Sequence, residues 1–391
     1  MAARRSVAVI TVARSDFGLY EPLLERIRDD PALELRLMVS GAHFDAKFGP
    51  TVREIEAQGY AFERGLEMHP AGDDPASVAA SIGVGVQAFA RAFAAQRPDL
   101  VLVLGDRIEM LCGAVAAIPF NIPLAHLYGG KVSEGAIDEL TRHALTKMSH
   151  LHFVTSQTHA NRVLQMGEEA WRVFNYGSPG LDRIHRYPRA SRAEVCGEFK
   201  LDPAQPFLLV TFHPVTLEAR DRHAQIEALL DALQRYDGQV VLTYPNADAG
   251  HADIIDAFEA FAAANAQRVK LLKNAGARRY FDLMAAATAM VGNSSSGIGE
   301  APSFELPVVN IGTRQAGFGR AANVIDVGYQ AAEIGAAIHR AVSPEFRAGL
   351  RGLKNPYGDG RSSERIVDTL RSIALDDRLL RKKFIDLPAR P

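Results

Sequence analysis

The sequence predicts an α/β protein made of two Rossmann-like, doubly wound domains facing a central cleft. Three observations carry this. Short β-rich runs alternate with helical patterns along the chain, which is the mark of βαβ units around a parallel sheet. Most of those runs are near-continuously apolar, as strands are when helices cover both faces of their sheet. The alternation breaks at a connection rich in proline and charge, 177–204, and then starts again.

In the first half the expected strands are Val7–Val12, Leu35–Ser40, Leu100–Gly105, Leu124–Tyr128, Leu151–Thr155 and Val173–Tyr176. Helical patterns between them cover Tyr20–Asp30, Pro50–Gln58, Pro75–Gln96, Ile108–Ala117, Ile137–Ser149 and Ser156–Met166. In the second half the expected strands are Phe207–Phe212, Gln239–Thr243, Val269–Lys273, Ala289–Gly292, Val308–Ile311 and Val324–Val327. Gln225–Tyr236, Asp253–Asn265, Arg278–Ala287 and Ala331–Val342 read as helices there. The N-terminal domain is expected over 1–185 and the C-terminal domain over 186–375, with a tail at 376–391. Whether a last helix, Ser362–Leu375, crosses back to the first domain is not decided by pattern. In such sheets ligands bind outside the carboxyl ends of the strands, so the loops at those ends are where chemistry is expected to converge.

Composition bounds the function. The 391 residues carry a formal net charge of −2 with both signs interspersed, so the bulk balance favours neither nucleic acid nor an anionic membrane as partner. A small anionic substrate needs only a local basic site. The two cysteines, Cys112 and Cys196, are too few for a disulfide framework or a thiolate metal cluster and fit a reducing cytoplasm. The first apolar run is too short for a signal sequence, and no apolar run is expected to reach the ~20 residues of a membrane span.

Most of the chemistry is written at the strand ends. Val291 to Glu300, Val-Gly-Asn-Ser-Ser-Ser-Gly-Ile-Gly-Glu, reads as a buried strand breaking into a small-residue turn that opens a helix. Free N–H groups, the positive end of a helix dipole and the hydroxyls of Ser294, Ser295 and Ser296 would then face a phosphate. A plain capped helix start has the same letters. The first strand runs into a turn holding Arg14 without the G-x-G-x-x-G spacing of dinucleotide binding, which sets hydride transfer aside. Arg14 there suits a phosphate or carboxylate, or is a solvated loop charge. Asp106 and Arg107 end the Leu100 strand as a cleft pair, or as a helix cap with a local ion pair.

After the Leu124 strand come Gly129-Gly130-Lys131 and then Glu134, Asp138 and Arg142 at one-turn spacing. The paired glycines allow a close backbone approach to a ligand. His143 and His150 on the same helical pattern read as structural or surface residues, since no coordination pattern is completed around them. In the second half His213 stands where the Phe207 strand stops, fit for acid or base work or else a satisfied buried histidine. Asn246 and Asp248 offer an amide and a carboxylate after the Gln239 strand, and Arg314 after the Val308 strand suits a diphosphate.

These pieces together resemble the UDP-N-acetylglucosamine 2-epimerase family, in its hydrolysing branch that starts sialic and legionaminic acid-type nonulosonate synthesis. The resemblance rests on Arg14-Ser-Asp-Phe-Gly, Gly105-Asp-Arg, Gly135-Ala-Ile-Asp-Glu with Arg142-His-Ala-Leu-Thr-Lys, Phe212-His-Pro-Val-Thr, Tyr244-Pro-Asn-Ala-Asp, Gly292-Asn-Ser-Ser-Ser-Gly with Glu300-Ala-Pro-Ser-Phe, and Gly312-Thr-Arg-Gln. They run in order from residue 7 to about 326.

The resemblance implies a glycosyltransferase-B-like pair of domains, with the nucleotide diphosphate held chiefly by the second. It implies a reaction in which the anomeric C–O bond breaks and the C2 proton is lost, giving UDP and a 2-acetamidoglucal, to which water adds to release the free 2-epimer. It places Ser294 and Ser295 at the phosphates, Glu300 at the ribose, and Arg14, Asn246 and Arg314 as further nucleotide contacts, with Arg107 on the substrate. His213 would stand near the leaving diphosphate, and Asp106, Asp138 and Arg142 near the sugar. It implies no metal or cofactor, a nucleotide-sugar substrate, no nucleic-acid or membrane partner, and a homo-oligomer, dimer or tetramer.

One position departs from the family. Where its members usually read Gly-Gly-Glu, with that glutamate among the catalytic carboxylates, this chain has Lys131. Three explanations stay open: Lys131 is itself the base, it recognises an altered sugar, or the epimerase chemistry is lost and a nucleotide-sugar binder or glycosyltransferase-like protein remains. Glu134 would substitute only in part, from a different direction.

Overall fold

Every strand pairing among the described residues is parallel, in two separate sheets. The structure is a computed structural model and describes residues 4–44, 51–68, 74–132, 137–186, 188–215, 218, 220–246 and 250–386. By backbone contacts the chain divides into two units, Met1–Arg183 with Gly360–Pro391, and Ile184–Asp359.

The first unit holds a seven-stranded sheet: β1 (Arg5–Thr11), β2 (Leu33–Val39), β3 (Phe62–Glu63), β4 (Leu100–Leu104), β5 (Leu124–Leu127), β6 (Leu151–Val154) and β7 (Val173–Asn175), in the order β3-β2-β1-β4-β5-β6-β7. The strands form because apolar β-formers run without a break: Val7, Ala8, Val9 and Ile10 of β1 and Leu100 to Val103 of β4 are all fully buried, covered on both faces. The order reverses direction between β1 and β4, so that is this sheet's topological switch point. Strand β3 was not expected; its two residues pair only with Leu37 and Met38, too short a run for a periodic signal.

The helix after β1 spans Arg14–Asp29, starting well before the expected Tyr20. Asp16 explains the early start. Its carboxylate accepts from the N–H groups of Val12, at 2.8 Å, and Ala13, at 2.7 Å, pinning the turn directly at the strand end. Arg14 therefore opens a helix instead of lying on a loop.

Helix Pro75–Ala95 corrects another expectation. With 21 residues and an 18-residue window of mean hydropathy 1.4, it is by length and composition long and apolar enough to cross a membrane. Small residues made its run look broken. Phe89 and Phe93 on one face enter the first unit's core, while Val84 on it is exposed.

The stretch 360–386 groups with the first unit. Asp182 caps helix Ser362–Ser372 by accepting from the N–H groups of Ser362 and Ser363 at 3.0 and 2.6 Å. Further on, the fully buried Arg172 donates to the carbonyls of Leu379 and Arg378 at 2.7 and 2.8 Å.

The second unit holds β8 (Phe207–Thr211), β9 (Gln239–Thr243), β10 (Val269–Leu272), β11 (Ala289–Gly292), β12 (Val308–Ile311) and β13 (Val324–Val327), in the order β10-β9-β8-β11-β12-β13. Alternate residues of β8 enter different cores: Leu208 and Val210 pack with Ile226 and Ile338, whereas Phe207 and Leu209 pack with Leu283 and Met284. Helices on both sides thus exclude water from the sheet. Its switch point lies between β8 and β11.

Candidate functional site

The candidate residues gather at the carboxyl ends of strands beside each switch point, as two clusters, one in each unit. In the first unit a cavity of about 240 Å³ opens at the ends of β1, β4 and β5, lined by Asp16, Asp106, Arg107, Tyr128, Lys131 and Arg142 with Ser15 and Leu19. Arg142 lies on helix Ile137–Met148 and is only 2% exposed. Its guanidinium pairs with Asp106 and, through Nη1 at 2.9 Å, with Glu139. Burial lowers the Arg142 pKa from its ordinary value, and the two carboxylates supply the partners a buried cation needs. Asp16 is buried too; desolvation lifts its carboxyl to about 6 even though the Val12 and Ala13 N–H groups and Thr11 stabilise its anion.

Lys131 sits on the wall of this cavity with its Nζ 4.1 Å from the centre of the Tyr128 ring, a cation–π contact. Tyr128 has φ 67°, a left-handed conformation that costs a non-glycine residue ~1–2 kcal/mol. Its hydroxyl is 2.5 Å from Ser178 Oγ. A strained aromatic residue fixed at its tip makes a rigid shelf under the lysine.

The glycines beside it serve the protein's own packing. A Cβ on Gly130, whose φ is 76°, would lie 2.3 Å from the carbonyl oxygen of His159, and one on Gly129 would lie 3.1 Å from both His126 Nδ1 and Thr146 Oγ1. The close approach expected for a ligand is thus made by neighbouring chain. His126 Nε2 donates to the Gly105 carbonyl at 2.8 Å, and burial drives its pKa down to about 3, so it is a neutral brace between β5 and the end of β4.

Two other first-unit candidates, Asp138 and Arg14, stand apart from the cavity. Asp138 lies in the exposed first turn of its helix and is not among the lining residues; Glu139 makes the contact with Arg142 instead. Glu139 also meets His143 Nε2 at 2.9 Å. Arg14, 71% exposed at its side chain, pairs with Glu54 at 3.3 Å. Arg107, in the cavity wall, occupies the N-cap position of helix Ile108–Ala117 without a side-chain capping bond, and its Nε lies 3.5 Å from Glu109 Oε2. Glu134 and Asp248 fall outside the described residues.

In the second unit the ends of β8, β9, β11 and β12 carry His213, Asn246, Asn293 to Ser296 and Arg314. Gly292 has φ 134°, and a Cβ there would lie 2.0 Å from the Thr211 carbonyl, so only glycine lets β11 turn so close to β8. The turn opens a helix of four residues, Ser296–Gly299, followed by a 3-10 turn, Ala301–Phe304. So short a helix, broken by glycines and Pro302, has little dipole; a phosphate here would rely on N–H groups and hydroxyls. Ser295 is exposed, and the buried Ser294 Oγ accepts from Ser296 N at 3.3 Å. Tyr280 Oη lies 3.1 Å from Thr211 Oγ1, where either hydroxyl can donate, and burial raises its pKa to about 12, keeping it neutral. Glu300 closes the short helix, half-buried.

His213 is buried, and its Nδ1 accepts from the Asn246 backbone N–H at 3.0 Å. A backbone amide can only donate, so a neutral ring carries its proton on Nε2. Asn246 thus acts here through its main chain, with its side chain exposed. Arg314 Nη1 reaches the Asn293 carbonyl at 3.4 Å and Gln315 Nε2 reaches it at 2.9 Å.

Sequence reasoning missed Asn293, Gln315, Glu139, Tyr128, Tyr280 and His126. Glu139 left a spacing signal, three and four residues from Arg142 and His143, and Asn293 and Gln315 stood inside quoted motifs without a role of their own. Among the described residues no group of three or more His, Cys, Asp or Glu side chains is placed to hold a metal ion.

Residues 25–371 match the family model described as UDP-N-acetylglucosamine 2-epimerase. The chain is 36% identical over 379 residues to the UDP-N,N'-diacetylbacillosamine 2-epimerase (hydrolyzing) of Legionella pneumophila, covering 97% of this chain and 98% of that one. It is 37% identical over 389 residues to the GDP/UDP-N,N'-diacetylbacillosamine 2-epimerase (hydrolyzing) of Campylobacter jejuni, covering 98% and 100%. Among solved structures, the UDP-GlcNAc 2-epimerase of Neisseria meningitidis bound to UDP-GlcNAc superposes with a TM-score of 0.74 at 17% identity, over 93% of this chain and 99% of that one.

Proposed function

The chain belongs to the UDP-N-acetylglucosamine 2-epimerase family, and from that premise we propose that it is a hydrolysing 2-epimerase of a UDP-N-acetylhexosamine-type nucleotide sugar. The observation that carries the reading is the end-to-end similarity to two hydrolysing 2-epimerases, which spans both switch-point clusters. Within that class we place a diacetamido-6-deoxy sugar ahead of UDP-N-acetylglucosamine, because both of those relatives are named for N,N'-diacetylbacillosamine. The product would then feed nonulosonic acid synthesis. A nucleotide-sugar binder or a transferase gains no support from these relatives.

The division of labour follows from charge. Breaking the anomeric C–O bond sends its electron pair to the β-phosphate, so negative charge builds on the leaving UDP. In this reading Ser294, Ser295 and Arg314 of the second unit stabilise that charge with hydroxyls, N–H groups and a guanidinium, and Glu300 takes the ribose. His213, holding its proton on Nε2, donates toward the departing phosphate. The sugar goes to the first unit. There a base removes the C2 proton, giving the 2-acetamidoglucal, and water then adds its hydroxyl to C1 and a proton to the opposite face of C2. In this reading Asp106, paired with Arg142 and lining the cavity, is the base, with Asp138 a less central candidate. Lys131 is assigned to the sugar cavity, where a cation on a rigid aromatic shelf would orient an acyl or hydroxyl oxygen. Arg14, Arg107 and Asn246 are secondary contacts. No metal or cofactor enters these steps.

Two buried free cysteines, Cys112 and Cys196, support a reducing, cytoplasmic setting. Exposed Ile137 and Leu140, 75% and 74% accessible on one helix, support a homo-oligomer, which sedimentation measures directly. The functional reading is tested by incubating the protein with UDP-N-acetylglucosamine and UDP-diacetamido-6-deoxyhexoses. Release of UDP with a free 2-epimerised sugar is expected, and no release from any of them would overturn it.

A further inference from the structure

We propose that Asn293 is a positioning residue for the reaction, acting through the backbone of His213 and the side chain of Arg314; this rests on the functional reading above. Asn293 sits at the switch point of the second sheet, directly after Gly292, and is fully buried. Its side-chain amide exchanges two hydrogen bonds with one residue 80 positions earlier: Oδ1 accepts from His213 N at 2.7 Å, and Nδ2 donates to His213 O at 2.8 Å. Because a backbone N–H only donates and a carbonyl only accepts, both ends of the amide are fixed in orientation. The pair imitates one rung of a β-ladder beyond the end of β8, holding the His213 main chain where the strand itself has stopped.

Asn293's main chain reaches in two further directions. Its N–H donates to Thr211 O at 3.2 Å, and its carbonyl accepts from Gln315 at 2.9 Å and from Arg314 at 3.4 Å. One residue thus sets the loop after β8, which carries His213, against the loop after β12, which carries Arg314. With Asn246 N–H fixing the ring tautomer, the His213 imidazole is held at both backbone and ring. The chemistry requires an amide at this place. Aspartate would lose the donor to His213 O and bury a charge, and alanine or leucine would lose both bonds. Gln315, itself buried, carries the second limb by holding the Asn293 carbonyl beside Arg314.

Purely structural asparagine and positioning asparagine differ in a double-mutant cycle. Asn293→Asp and Asn293→Ala are made alone and on His213→Ala, checked for folding by urea denaturation, and the folded version is read. Positioning predicts that the Asn293 substitution lowers kcat at least ~10-fold in the wild-type background, with a smaller change in KM, and causes no further loss once His213 is alanine. Equal losses in the two backgrounds, or wild-type kcat, would overturn it. Gln315→Leu leaves the amide pair intact and is read by calorimetric titration with UDP: affinity weakened at least ~3-fold is expected, and unchanged affinity overturns the Arg314 limb. That titration needs no turnover, so it separates failure of this inference from failure of the epimerase reading, which shows as a wild-type protein that binds UDP and releases none from nucleotide sugars.

Discussion

Arg142 and Asp106 form an ion pair at the carboxyl end of β4, in which the cation is buried and the carboxylate lines the cavity at the ends of β1, β4 and β5. The pair fixes the direction of the carboxylate, which accepts from the buried guanidinium. Arg142→Leu strands Asp106 and Glu139 together without their cation. Unfolding in urea is expected to show a loss of roughly 3 kcal/mol, and UDP release to fall by more than the stability loss explains. Asp106→Asn should retain most of the stability and lose the turnover; a variant of normal kcat would remove Asp106 from the chemistry.

Arg314→Ala is expected to weaken UDP binding about 10-fold, and Ser295→Ala about 3-fold, as removal of a charged and a neutral donor respectively. Calorimetry reads both. Unchanged affinity in both variants would move the phosphate site away from the turn after β11.

Lys131→Met keeps an unbranched side chain about one atom shorter and removes its charge. The assignment to the sugar cavity predicts UDP affinity within about 3-fold of wild type, while kcat on the nucleotide sugar falls at least ~10-fold. A UDP affinity that falls as much as the kcat would place Lys131 on the nucleotide instead.

The acid limit of stability is set in part by Glu168, whose side chain is fully buried. Burial by itself raises its pKa, but hydrogen bonds from His152 at 3.0 Å, Lys147 at 2.6 Å and Lys382 outweigh that and hold it at about 2. A carboxyl depressed below its unfolded value stabilises the fold fully above about 4.5, and the contribution disappears as pH falls through about 2. Glu168→Gln should therefore destabilise by roughly 3 kcal/mol at pH 7, and the difference from wild type should shrink steadily between pH 4.5 and pH 2. Urea denaturation across that range checks the sign. Asp16 runs the other way: raised to about 6, it should cost stability as pH rises from about 4 to 6.

Both sheets were legible in the sequence because their strands are continuous apolar runs, such as Val7 to Ile10 and Phe207 to Val210, whose burial on two faces needs no partner to be named. What escaped was set by contacts distant in sequence or by the main chain. Arg14 opens a helix because Asp16 turns back to cap the strand end, a bond invisible to periodicity. Asn293 sat in view inside a Ser-rich turn, but its partners are backbone atoms of His213, and a backbone atom leaves no letter. The Gly129-Gly130 pair was visible as glycine and misleading as to cause: the crowding comes from His126, Thr146 and His159. Lys131 stood out as a cation where the family usually has a glutamate, and the cavity now gives it a neighbour, Tyr128, held in a costly conformation beneath it.

The central claim is that UDP leaves by elimination, with the C2 proton removed before water adds. Incubation in deuterated water with UDP-diacetamido-6-deoxyhexose and UDP-N-acetylglucosamine, followed by NMR of the released sugar, tests it most directly. The account predicts UDP and a free 2-epimer carrying deuterium at C2. UDP release with hydrogen retained at C2 and no inversion there would mean simple hydrolysis and would contradict it.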